Sequence, residues 1–396
     1  MTSRFMFGLM AVVLLSPVVA AGQPGPETAS IRIGVLSLDP RIRVSNIGVD
    51  TNVFASVDNP ERDVTATASA GTDIWLRTKR GVLTITADAG YVYFEKFVSE
   101  RSLSSNTRAR YEIGFNRVRP FAWVATRDQK GRPSEEITER VREFGTDYGA
   151  GSNLRLLSKS TMRVEWRRRT TGFDDDEVYN GTQLKTALNR TSEGIEVGWR
   201  QQLTALTTFV TNLSRERDEF AFEPTRNADN FRVNGGFELG QFALIRGRAV
   251  VGYHQLRADQ PAFVPESSGM TASVDVTYSA PTGTRIQAIV DRELLHSYDS
   301  RTPNYTQLAW GGVITQRMFG RWDVQLTGGR ARQDFLAVAG IESRRDITDR
   351  VGGGIGYVIA NELRASFNIN SVRRSSELPG KEYNTMVGGF SVTYGY

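Results

Sequence analysis

The feature that most constrains this chain is an apolar/polar alternation of period two, repeated from one end of the mature sequence to the other. Met162-Arg163-Val164-Glu165-Trp166-Arg167 alternates residue by residue, and so do Glu193 to Arg200, Phe231 to Leu239 and Leu363 to Asn370. A rotation of 180° per residue describes strands with one apolar and one polar face. The joints between these runs alternate in length. Short joints fall at Lys79–Gly81, Val118–Pro120, Ser158-Lys159, Gln201-Gln202, Gly240-Gln241, Ala280–Gly283, Met318–Gly320 and Ala360-Asn361. Between them lie longer polar joints at 56–62, 130–140, 173–189, 217–227, 259–267, 297–303, 337–346 and 375–381. Short turns on one side and long loops on the other are the pattern of a barrel that crosses an outer membrane.

The expected fold is therefore all-β: a single closed antiparallel transmembrane barrel of about 18 strands with both termini on the periplasmic side. Strands are expected to start near Arg41, Asp63, Val82, Leu103, Phe121, Val141, Ser160, Arg190, Leu203, Ala228, Phe242, Gly269, Thr284, Asn304, Arg321, Ile347, Glu362 and Glu382. The phase changes between Val44 and Ile47, which predicts a bulge. The stretch after Leu203 is apolar on both faces and does not orient itself. Closure also removes the unpaired edge that so long a sheet would expose.

Composition agrees. Mean hydropathy is −0.34, too polar for a bundle of membrane helices and ordinary for strands that put every second residue into lipid. The N-terminus reads as a secretory signal peptide over 1–21: Arg4, an apolar run from Phe5 to Leu15, Pro17, then small Ala20-Ala21. A linker is expected over 22–40 and the barrel over 41–396. At the other end Met386, Gly388, Phe390, Val392, Tyr394 and Tyr396 share one face. This terminal aromatic strand resembles the signal read by the outer-membrane assembly machinery, with Phe390, Val392, Tyr394 and Tyr396 as its core.

The inventory for catalysis is thin. There are 2 His and 0 Cys, which excludes a disulfide framework and Cys-ligated metals. His254 is expected late in a strand facing the lumen and His296 near a strand end beside Ser297; a polar wall residue is the default for each, and neither sits in an arrangement with an evident nucleophile and orienting acid. Asp174-Asp175-Asp176-Glu177 lacks the spaced ligands of a calcium loop and reads as a solvated loop tip. Gly352-Gly353-Gly354-Ile355-Gly356 lies in a strand pattern with no helix after it, so it marks close packing and not a phosphate loop. No enzyme activity, cofactor or metal is expected. Nucleic acid is not an expected partner either, because basic and acidic residues are interleaved.

The informative surface is the polar face. Opposite the apolar residues lie Arg108, Arg110, Arg155, Arg163, Arg167, Arg169, Arg200, Arg232, Arg246 and Arg248, with Arg285 and Arg364 further along. The same face carries Asp88, Glu112, Asp147, Glu165, Glu196, Glu238, Asp275, Asp291 and Glu293. Mutual neutralisation accounts for many of these charges. An excess of Arg is nonetheless expected through the middle strands, which favours anions in a pore.

Ser45-Asn46-Ile47-Gly48-Val49-Asp50-Thr51-Asn52-Val53-Phe54 resembles the first-strand signature of a β-barrel porin family found in exopolysaccharide and capsule gene clusters. The resemblance in layout covers nearly the whole mature chain. It implies an outer-membrane pore in polysaccharide secretion, with outer-membrane lipid, lipopolysaccharide, the barrel assembly machinery and periplasmic polysaccharide-export components as partners. A general or anion-preferring porin for small solutes, or a purely structural barrel, fits the same strand pattern.

Overall fold

A computed structural model of the chain describes residues 26–27, 29–240, 243–338, 341–360 and 362–395. Met1–Ala21, Gln241, Phe242, Asn361 and Tyr396, all used in the sequence expectations, lie outside the described residues. Eighteen long strands form the barrel: β2 (Leu36–Asp50), β3 (Asp63–Arg77), β4 (Gly81–Phe94), β5 (Ser102–Ile113), β6 (Val118–Gly131), β7 (Val141–Leu157), β8 (Ser160–Phe173), β11 (Arg190–Gln202), β12 (Thr207–Phe220), β13 (Ala228–Leu239), β14 (Ile245–Ala258), β15 (Ser267–Ser279), β16 (Thr284–His296), β17 (Asn304–Met318), β18 (Trp322–Leu336), β19 (Arg344–Ala360), β20 (Leu363–Ser376) and β21 (Tyr383–Tyr394). Each pairs antiparallel with its sequence neighbours, and β21 closes the ring on β2 through Ile42↔Tyr394. A short β1 (Ile31–Ile33) inside the expected linker continues the ladder of β2 below that seam, and β2 itself begins at Leu36, ahead of Arg41.

Most strand starts fall within a few residues of the expected positions. The stretch after Leu203 is the exception. Leu203 and Leu206 belong to the turn, and β12 begins at Thr207 with Val210 facing inward and buried. The bulge is where the phase change placed it. Register slips between Val44 and Ile47, with Asn46 at φ 55°. Gly48 and Gly389 meet there backbone to backbone; a Cβ on Gly48 would stand 1.9 Å from the Gly388 carbonyl oxygen. Only glycine permits that approach at the seam.

The outward face carries the apolar residues. Ile195, Val251, Leu326, Val351 and Ile369 are all exposed there. Trp199 meets Phe209 at 6.0 Å and Phe209 meets Phe237 at 5.5 Å near the short-turn end. Tyr148 and Trp166 pair at 5.7 Å further up. An apolar band bounded by aromatics is what a lipid bilayer requires of a barrel wall. Phe390, Val392 and Tyr394 lie on this outer face of β21.

The long loops do not simply extend into solvent. Loop 132–140 between β6 and β7 turns into the barrel and reaches β19 and β20 on the opposite part of the wall. The 174–189 loop folds into a small hairpin, β9 (Val178–Tyr179) and β10 (Thr182–Gln183), followed by α1 (Leu184–Leu188). Ile137, Val141, Phe173, Tyr179, Leu184, Ala187, Leu188 and Tyr298 form one buried apolar cluster over the lumen. The expectation of a merely solvated tip therefore holds only for Asp175 and Asp176, which are exposed. Apolar residues spaced through a polar loop, Tyr179, Leu184 and Leu188, pull the rest of it inward, since their burial outweighs leaving them in water.

Candidate functional site: the lumen and its loop lid

A cavity of about 740 Å³ lies under the lid. Of the sequence-predicted arginines, Arg108, Arg163, Arg167, Arg169 and Arg232 line it; Arg110, Arg155, Arg200, Arg246 and Arg248 do not. Strand register puts Arg110, Arg200, Arg246 and Arg248 lower, toward the short turns. Arg155 sits at the short-turn end of β7 and donates to the Asn116 side chain at 2.9 Å.

The arginines of the middle strands are largely matched by carboxylates. The cavity lining carries more Asp and Glu than Arg. Arg163 pairs with Glu165, Arg167 with Glu216 at 2.5 Å and Glu196 at 3.5 Å, and Arg169 with Asp147 at 3.2 Å. Inward carboxylates on the same strand (Glu165), on the adjacent strands (Asp147, Glu196) and two strands away (Glu216) neutralise the cluster. Arg108 and Arg232 have no carboxylate partner among the described residues; Arg108 lies over the Trp123 ring at 4.3 Å. Trp123 in turn lies flat across Gly149, where a Cβ would stand 3.0 Å from its Nε1, and donates to Glu165 at 2.8 Å.

Arg also exceeds acid at the short-turn mouth, in part through arginines of those same middle strands. Inward-facing Arg41, Arg43, Arg110, Arg200, Arg246, Arg248, Arg285, Arg317 and Arg364 outnumber Asp39, Asp73, Asp88, Glu112, Glu238, Asp275 and Asp323 there. Arg41 binds Asp73 at 2.5 Å, Arg110 binds Glu112 at 2.9 Å, and Arg200 and Arg248 share Glu238. Arg364 pairs with Asp323 through two bonds of 2.9 and 2.5 Å, in space left by Gly356. Arg43, Arg285 and Arg317 have no carboxylate partner among the described residues.

At the opposite end the lid is fastened to the wall by charge. Arg350 of β19 donates to both oxygens of Glu135 at 2.6 and 2.5 Å. Arg374 of β20 donates to the main-chain oxygens of Glu135 and Glu136 at 2.6 and 3.2 Å, and to Asp346 at 2.6 Å. Arg344 lies 3.5 Å from the Glu136 carboxylate and 3.6 Å over the Phe335 ring. Ser297 Oγ donates to Glu136 at 2.6 Å and the Tyr179 hydroxyl to its carbonyl at 3.0 Å. Full burial pushes the Glu136 carboxyl up to about 7, against the opposing pull of Ser297, Arg344 and Arg374.

The two histidines are wall and support residues. His254 Nε2 meets Asn230 at 2.8 Å. His296 bridges Asn304 at 3.0 Å and Asp218 at 2.9 Å, while its neighbour Ser297 is spent on Glu136. Asp174 and Asp175 pair with Arg142 and Lys185, and no metal-holding group of three His, Cys, Asp or Glu occurs among the described residues.

The model of the family described as "Putative beta-barrel porin 2" matches residues 23–396. The chain belongs to this family. Among solved structures it is similar to a BenF-like porin from Pseudomonas fluorescens Pf-5, at 10% identity and TM-score 0.52 over 91% of this chain and 98% of that one. It also overlaps OpdK from Pseudomonas aeruginosa with vanillate (9% identity, TM-score 0.49, 91% and 98% covered) and a bacterial polysaccharide outer membrane secretin (10% identity, TM-score 0.33, 90% and 97% covered). These likenesses concern fold alone. No curated protein matches the chain. The protein is thus an outer-membrane porin-type barrel, with short turns toward the periplasm and long loops outside.

Sequence reasoning missed Arg344, Arg350 and Arg374. Extending the inward phase of β20 from Arg364 by twos reaches Arg374, so that signal was present. Glu135 and Glu136 gave none, because nothing in a polar loop announces that it turns inward except the single apolar Ile137.

Proposed function

We propose that this porin passes an anionic exopolysaccharide from the periplasm to the cell surface and is not an enzyme. The observation that carries the reading is the basic periplasmic mouth, where Arg43, Arg285 and Arg317 lack carboxylate partners among the described residues and their neighbours are only partly neutralised. A mouth of one sign concentrates counter-charged cargo at the periplasmic opening. Guanidinium groups also match carboxylates bidentately. An 18-strand barrel is wide enough for an extended sugar chain. The balanced mid-lumen suits transit, because conduction requires binding weak enough to release. The resemblance of Ser45–Phe54 to a signature from polysaccharide gene clusters points the same way. Outer-membrane lipid, lipopolysaccharide, the barrel assembly machinery, which would read Phe390, Val392, Tyr394 and Tyr396, and periplasmic export components are its proposed partners; export is by a signal peptide cleaved after about residue 21. The same mouth also fits an anion-preferring porin for small solutes. Deletion of the gene separates the two: loss of surface polysaccharide supports export, whereas unchanged polysaccharide with reduced uptake of small anions overturns it.

A further inference from the structure

The outer end of the lumen holds a second basic patch whose charge is masked by the protein's own loop. Arg344, Arg350 and Arg374 stand together on β19 and β20 with Asp346 between them. Without loop 132–140 the patch would carry three guanidiniums and one carboxylate. The loop delivers the two carboxylates that balance it. The two are held differently. The Glu136 side chain is covered by Ser297 and Tyr298 of the neighbouring loop. Glu135, Glu136 and Arg350 all line the lumen cavity; the side chains of Glu135 and Glu136 keep 4% and 1% of their surface exposed, and that of Arg350 24%. Gly329 and Val372 flank Arg350 across the ladders, and Thr327, Gly352 and Asn370 lie one step toward the short turns. Arg350 is thus the part of this fastening most open to a chain in the lumen.

We propose that the Arg344–Arg350–Arg374 patch is a binding site for carboxylate groups of a polyanionic glycan, and that Glu135 is its built-in competitor, occupying Arg350 while the lid is shut. The proposal rests on the export reading for its ligand class. A carboxylate of the cargo takes over the bidentate bond that Arg350 gives Glu135. The loop then loses its fastening to Arg350, and keeps the main-chain bonds from Arg374, those of Glu136, the bond of Arg132 to the Val53 carbonyl and Ile137 in the apolar cluster. Cargo and lid exclude each other at one guanidinium, so the barrel stays shut until an anionic chain fills it.

The test is single-channel recording in planar bilayers, with oligogalacturonate or neutral maltoheptaose added on the periplasmic-turn side. The wild type should be mostly closed, open at least several-fold more often with oligogalacturonate, and ignore maltoheptaose. Glu135→Gln, a loop change of equal size, should open without any sugar. Arg350→Gln should also open without sugar and should lose its response to oligogalacturonate. Heat-modifiability of each variant verifies an intact barrel. Closure of Glu135→Gln to the wild-type degree, or an oligogalacturonate response of Arg350→Gln equal to wild type, overturns the proposal. A lost response in Arg350→Gln together with unchanged surface polysaccharide in the deletion strain keeps the anion site and discards export.

Discussion

Glu136 makes the lid sensitive to pH, and the sign follows from where its proton is held. In the closed lid the carboxyl is fully buried and its pKa stands at about 7, while a released, solvated glutamate has the usual value near 4.5. The groups facing it are Arg344 of β19, Arg374 of β20, Ser297 and Tyr298 of the neighbouring loop, Tyr179 of β9, Tyr305 of β17 and the adjacent Glu135. A carboxyl with a raised pKa stabilises the closed lid fully below about 4.5, and that contribution is lost as pH rises through about 7. The whole effect is on the order of 3 kcal/mol, from roughly 1.4 kcal/mol for each tenfold change in proton affinity. Between pH 5 and 7.5 the open-to-closed ratio should rise roughly fifty-fold by this linkage. Glu136→Gln fixes the uncharged form at nearly unchanged volume, so its lid should be tight and its conductance flat across the same range. Planar-bilayer recording at pH 5, 6, 7 and 7.5 measures both proteins. A wild type whose open probability is flat or falls with pH, or a Glu136→Gln protein that keeps the wild-type slope, refutes the reasoning.

Other expectations concern separate parts of the molecule. Leu184 is fully buried in the lid cluster, so Leu184→Ala should cost the closed lid about 2–5 kcal/mol and raise both baseline conductance and protease cleavage within 174–189, with barrel heat-modifiability kept. Replacing Arg163, Arg167 and Arg169 together should remove the arginine partners of Glu165, Glu196, Glu216 and Asp147; cation preference in reversal-potential measurements should rise, and polysaccharide release should fall with the barrel still in the membrane. Unaltered release would discard a part for these three residues in cargo passage. Phe390→Asp puts a charge on the lipid face of the closing strand at a cost below the roughly 2–4 kcal/mol of a basic residue at the bilayer midplane, and membrane fractions should show less heat-modifiable barrel; an undiminished amount would contradict that.

How much was legible follows from which interactions are local. Strand starts at Asp63, Val141, Ser160, Arg190, Ala228, Thr284 and Asn304 coincide with the sequence reading because period-two patterning is a property of consecutive residues. The bulge at Asn46 was equally local, since a phase slip is visible within four residues. Pairing of the lumen charges was not. Arg167 finds Glu216 two strands away and 49 residues later, and only register shows that those inward positions share one height. The lid was least accessible of all. Its fastening joins Glu135 to Arg350 and Arg374, more than 200 residues away, and no pattern within loop 130–140 specifies the wall it will meet. What the sequence could not show is how far carboxylates on other strands and on the lid match those arginines.

The most direct test of an anion-selective conduit fed from the periplasm uses proteoliposomes, with the barrel oriented so that its short turns face the interior. Vesicles are loaded with fluorescent polygalacturonate and neutral dextran of matched chain length, and the release of each is followed over time. The account predicts that polygalacturonate leaves while dextran is retained, and that charge-neutral replacement of Arg43, Arg285 and Arg317 slows release of the polyanion. Equal release of both polymers, or retention of both while small anions escape, would contradict it.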